Sequence, residues 1–161
     1  MTLITSKGKF INNIENKSKQ WLLAWGGVFA WCFFLFILSA QPHLRVPGDI
    51  PESDKVAHLL VYGVLGWLWG RAVKVSWPGG SALIVLFSVV VFTGIYGLSD
   101  EWHQSYIPGR SADLLDGVVD MCGGTLGGTA FLLWGRLREN SRERVSKEVS
   151  EQLRNPYDPA T

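Results

Sequence analysis

The stretch Ser99–Gly128, SDEWHQSYIPGRSADLLDGVVDMCGGTLGG, sets five carboxylates, one arginine and one histidine into an otherwise lipid-soluble sequence. Asp100 and Glu101 close one apolar run, Pro108-Gly109-Arg110 makes a turn, and Asp113, Asp116 and Asp120 open the next run. Spacings of three and four residues predict that these aspartates share one helical stripe. Gly117, Gly124 and Gly127 fall on the same side. A stripe that combines charge with close backbone approach predicts an interior face.

Outward from this stretch, the composition suits no water-soluble fold of 161 residues: 47% of the chain is apolar, with eight Trp, eight Phe and eighteen Gly. Four runs are long enough, or nearly so, to cross a hydrocarbon core of about 30 Å at about 1.5 Å per helical residue. They are Trp21–Ser39, Val56–Val73, Ser81–Leu98 and Leu114–Trp134. The third is rich in Val, Leu and Phe, which alone would also suit a strand; its length and neighbours decide for a helix. Trp21–Ala40 is too long in its apolar core for a signal peptide, and Leu38-Ser39-Ala40 is a weak cleavage site, so the first span is expected to stay. Cys32 and Cys122 both lie inside apolar runs, where a thiol behaves as a small hydrophobe and no bridge is expected.

The predicted fold is therefore an all-helical polytopic membrane protein. Residues 1–20 form a basic N-terminal tail, 21–135 the four-helix membrane domain and 136–161 a charged tail. In the last, a thin Val145, Val149, Leu153 stripe predicts a solvated cytoplasmic helix. Of the fifteen Lys and Arg, twelve lie before span one, around the turn between spans two and three, or after span four; Arg45, Lys55 and Arg110 do not. The positive-inside rule then puts both termini in the cytoplasm and the acidic and histidine chemistry outside.

A carboxylate in hydrocarbon costs several kcal/mol unless it meets a partner, water or a proton, so membrane acids usually face the bundle interior. Ser53-Asp54 supplies N-cap chemistry for the second span, and Asp54, His58 and Tyr62 recur every four residues along it. Thr93, Tyr96 and Asp100 mark the polar side of the third. Asp113 and Asp54 suit helix capping near the surface. Asp120 lies about 10 Å deeper along the axis than Asp113, where capping is excluded. Arg110 can grip either a carboxylate, as an internal pair with Asp100, Asp113 or Asp116, or a phosphate of a lipid head group. His58 with Asp116, Asp120 and Glu101 offers nitrogen and oxygen donors to a metal, without a tight signature such as H-E-x-x-H. His103 is expected in solvent. No nucleophile elbow and no phosphate-cradling glycine loop is present, so no cofactor can be named and nucleic acid is not an expected partner. Membrane lipids are.

Ser39-Ala40-Gln41-Pro42, Asp54-Lys55-x-x-His58-x-x-x-Tyr62, Ser99-Asp100-Glu101-Trp102-His103-Gln104 with Pro108-Gly109-Arg110, Asp113-x-x-Asp116 and Gly124-x-x-Gly127 follow in this order. Together they resemble the VanZ-like membrane proteins, over roughly residues 35–134. The resemblance implies a small multi-helix protein of the bacterial inner membrane, in a family whose named member lowers susceptibility to the lipoglycopeptide teicoplanin. By matching position, Asp54, His58, Tyr62, Asp100, Glu101, Gln104, Arg110, Asp113 and Asp116 are motif residues. Asp120 stands where the resemblance leads us to expect asparagine. The leading functional expectation is binding of, or action on, an anionic lipid-linked envelope component in an outward-facing polar cavity. In an enzyme, His58, Glu101 and Asp116 would carry acid-base chemistry on a lipid phosphate, with Asp54, Tyr62, Asp100, Gln104, Arg110, Asp113 and Asp120 contacting substrate. A structural or assembly subunit is the remaining class.

Overall fold

The computed structural model describes residues 2–41, 53–108, 110 and 113–154, without the side chains of residues 2–11, 53 and 54. His43, Arg45, Asp49 and Glu52, and the side chain of Asp54, lie outside the described residues. Among those described there are four helices and no strand: α1 (Thr2–Ser39), α2 (Ser53–Ser76), α3 (Ala82–Gln104) and α4 (Leu114–Arg154). The basic residues before Trp21 and the apolar residues after it share the single helix α1. In the same way α4 runs on through the charged segment, every residue of which is solvent-exposed from 136 to 154.

Three helices are long and apolar enough to cross a membrane: α1 over Asn12–Ser39, α2 over Lys55–Ser76 and α3 over Ala82–Gln104. The apolar part of α4 is diluted by Asp116, Asp120 and the glycines at 117, 123, 124, 127 and 128. The connections follow from local chemistry. Trp77-Pro78-Gly79-Gly80 is a turn closed by Gly80 N–H donating to the Trp77 carbonyl at 3.0 Å, and Lys74 Nζ donates to the carbonyls of Pro78 and Gly80. Ser81 caps α3 by accepting from the Ile84 N–H.

Burial is inverted relative to a protein in water. Asp120 and Thr93 are 0% exposed, whereas Phe87 is 70% and Leu83 80% exposed. A surface of Phe, Leu and Trp around an interior that holds Thr93 and Asp120 beside Leu65, Val85 and Val89 is stable where the solvent is hydrocarbon, because apolar side chains gain little there by turning inward.

The most extensive contact in the bundle is α2 against α4. It depends on glycine: a side chain added at Gly66 would run into the backbone of Gly124, and one added at Gly127 into the carbonyl of Gly63. With Gly123 against Leu59 and Gly70 against Phe131, these contacts set α2 and α4 parallel and in one register. The glycines that look like separate small-residue stripes in the sequence thus meet one another. α1 is pinned more lightly, by Trp31 Nε1 donating to the Val61 carbonyl at 2.9 Å, Trp25 Nε1 to Ser76 Oγ at 2.9 Å and Tyr96 Oη to the Cys32 carbonyl at 2.5 Å. Both cysteines are free thiols.

Candidate functional site

The polar residues gather at one end of the bundle, where α2 and α4 begin and α3 finishes. His58, one turn into α2, stacks over Tyr62 with ring centroids 6.3 Å apart. Its Nδ1 stands 2.9 Å from Asp120 Oδ1 on α4, so one of the two expected polar stripes meets the other. Asp120 can come this close to α3 because position 97 is glycine: a Cβ there would lie 2.8 Å from Asp120 Oδ2. Gly97 was not singled out in the sequence. Its only signal is its place one turn before Asp100.

From α3, Asp100, Glu101 and Gln104 are all buried. Gln104 Nε2 donates to Asp100 Oδ2 at 3.0 Å, and Gln104 Oε1 accepts from Arg110 Nη1 at 3.0 Å. Arg110 Nε donates to the Gln41 carbonyl at 3.2 Å, tying the end of α1 to the loop that precedes α4. Arg110 thus reaches an acid only through an intervening amide. Among the described residues it forms no ion pair, so the internal pairings open to it in the sequence, with Asp100, Asp113 or Asp116, are not the ones it adopts.

Glu101 Oε2 accepts from the Asp113 N–H at 2.6 Å, while its Oε1 is buried without a hydrogen-bond partner among the described residues. Asp113 caps α4, its Oδ1 accepting from the Leu115 N–H at 2.9 Å. Lys55 lies 4.0 Å from Asp113 Oδ2 and 3.9 Å from Asp116 Oδ1. The lysine of the Asp54-Lys55 motif is therefore the cation of the fourth-helix acids nearest the surface. Tyr62 Oη and Asp120 Oδ2 are also buried with no hydrogen-bond partner among the described residues. His103 departs from expectation. It is half-buried and stacked on Phe36 at 4.6 Å between centroids, because the last turn of α3 leans on α1.

The metal-type donors also regroup. A ring nitrogen of His58 and one carboxylate oxygen each from Asp100 and Glu101 lie within 4.8 Å of one another. The sequence points to Asp116 and Asp120 alongside His58 and Glu101. In the fold, Asp120 is a hydrogen-bond partner of His58, Asp116 turns toward Lys55, and Asp100 stands in the group instead. Chemically the arrangement holds an imidazole oriented by Asp120, two further buried carboxylates in Asp100 and Glu101 and, through Gln104, one guanidinium that pairs with no described acid.

A family profile described as VanZ/LLP1 matches residues 7–135. Neither the curated proteins nor the solved structures yield a significant match.

Proposed function

Since this chain belongs to the VanZ/LLP1 family, we propose that it works in the bacterial cytoplasmic membrane as a four-span protein with both termini inside, and that the polar end of its bundle binds an anionic, lipid-linked component of the cell envelope at the outer face. Family membership and three apolar helices fit a membrane protein. The fourth span, through Leu114–Trp134, is supported by the close, parallel packing of α4 on α2, which would otherwise leave α2 facing lipid with its glycines uncovered. The orientation rests on the twelve basic residues gathered toward the opposite end of the bundle. Reporter fusions after Gly79 and after Arg154 should both read cytoplasmic, and one after Tyr106 should read external. An external signal at Gly79 would reverse the assignment of the site to the outer face.

The observation that carries the functional reading is Arg110. It is half-buried, oriented by Gln104 and the Gln41 carbonyl, and unpaired with any described acid. A guanidinium held in this way keeps both Nη2 hydrogens and the second Nη1 hydrogen as donors for phosphate oxygens. In purified protein, Arg110→Ala should weaken binding of a short-chain lipid phosphate at least tenfold without changing yield, and Arg110→Lys should not restore it, because a point charge lacks the fork. In a host lacking its own copy, the same variants should lose any shift in envelope lipids or teicoplanin susceptibility that the wild type confers. Wild-type lipid-phosphate affinity in Arg110→Ala would rule the reading out.

A second reading, hydrolysis or transfer of the lipid phosphate, is favoured by the His58–Asp120 contact. A carboxylate that fixes one ring nitrogen leaves the other to exchange a proton with substrate. The two readings separate on turnover: release of inorganic phosphate by wild type and not by His58→Ala selects the enzyme.

A further inference from the structure

We propose that His58, Asp100 and Glu101 form a binding site for a divalent metal ion of the zinc or manganese class, with Asp120 orienting the histidine. The donors come from two helices and converge: one atom from each residue lies within 4.8 Å of the others. Three donors about 2 Å from a tetrahedral ion stand roughly 3.3 Å apart. The group needs to draw in by no more than about 1.5 Å. An imidazole with two carboxylates is a nitrogen and oxygen set suited to zinc or manganese rather than to the all-oxygen sites of magnesium and calcium. Three protein ligands also leave coordination positions open, as in metal sites that engage a substrate.

Two further observations point to a ligand. Glu101 is 3% exposed, and its Oε1 has no hydrogen-bond partner among the described residues, although its other oxygen is fixed by the Asp113 N–H. A buried anionic oxygen left open in this way is a strong cost unless a cation or proton meets it. Secondly, His58 Nδ1 is already engaged by Asp120 Oδ1 at 2.9 Å. Metal-bound histidines commonly donate their other ring N–H to a carboxylate in this way, which fixes the tautomer and leaves Nε2 as the nitrogen with a free lone pair.

The charge balance leads to the same site. Asp100, Glu101, Asp113, Asp116 and Asp120 place five acids at this end of the bundle, against Lys55 and Arg110 among the described residues. An anionic head group would be repelled by that balance. A divalent ion with open positions reverses it locally and gives the phosphate a second point of attachment beside Arg110. The metal site stands on the donor geometry, the open Glu101 oxygen and the His58–Asp120 contact; its use in holding phosphate rests on the lipid-binding reading above.

The test uses the full chain, purified in detergent, stripped with a chelator and titrated calorimetrically with Zn2+ alone. One Zn2+ per chain is expected. Asp100→Asn and Glu101→Gln keep the oxygens that accept from Gln104 Nε2 and the Asp113 N–H, so each should elute as folded protein yet bind Zn2+ at least tenfold more weakly. His58→Ala should abolish binding, while His103→Ala, Cys32→Ser and Cys122→Ser should leave it unchanged. A second titration, with a short-chain lipid phosphate in the presence and absence of Zn2+, should show at least tenfold tighter lipid binding with the metal. No Zn2+ uptake by folded protein, or uptake indifferent to Asp100→Asn and Glu101→Gln, overturns the site whatever the lipid does. Site-dependent Zn2+ uptake with no lipid binding upholds the site and overturns the lipid-binding reading instead.

Discussion

Gly127→Val should leave little or no folded protein to purify. Even a single methyl group at this position would enter the space held by the Gly63 carbonyl on α2, and the obstacle is backbone, which has no rotamer to move aside. Overpacking against side chains typically costs about 1–3 kcal/mol; against a fixed carbonyl the two helices must part along their whole contact, so the loss should be at least at the top of that range. Gly66→Val should behave alike, because it meets the Gly124 backbone from the other side. Gly26 has open space around it and serves as the control: Gly26→Val should keep wild-type yield and a wild-type unfolding midpoint in a denaturing-detergent titration. A monodisperse Gly127→Val protein of normal yield would mean that α2 and α4 do not touch at this register.

Asp120→Leu should be the most damaging single change among the acids, lowering stability by about 1–3 kcal/mol and removing function. Leucine fills a similar volume but leaves His58 Nδ1 buried with no acceptor, and a stranded buried donor costs its full desolvation. Asp120→Asn should be nearly silent in folded yield. Its side-chain oxygen can accept the same bond from Nδ1–H, and asparagine is the residue that the family resemblance leads us to expect there. Asp116→Asn should also be mild in yield, since Lys55 keeps Asp113 within 4.0 Å. The sequence places Asp116 among the candidate acid-base residues, whereas the geometry favours Asp120 as the partner of His58. Loss of function in Asp116→Asn beside wild-type behaviour in Asp120→Leu would return that role to Asp116.

The sequence alone determined what depends on neighbours within a few residues along the chain. Helices through Trp21–Ser39, Val56–Val73, Ser81–Leu98 and Leu114–Trp134 follow from apolar runs of helical length, whose backbone hydrogen bonds are satisfied within the run. The turn at Trp77–Gly80, the Asp113 cap and the inward side of Asp116 and Asp120 follow from residue type and helical spacing, whereas Asp113 itself stays half-exposed. The ends of α1 and α4 were less legible, because the basic segment before Trp21 and the charged segment after Trp134 carry no break that stops a helix.

Only the tertiary structure decided which acid meets which cation. Asp116 and Asp120 share one face of α4, one turn apart, so spacing cannot tell them apart. The choice is made by the depth at which His58 arrives, and that depth is fixed by the Gly63–Gly127 and Gly66–Gly124 contacts between α2 and α4. The same register brings Asp100 rather than Asp116 beside His58 and Glu101, and gives Arg110 an amide instead of a carboxylate. Helical periodicity repeats every turn, so it names a face. Only the rigid contact of two glycine-lined backbones selects a level on that face.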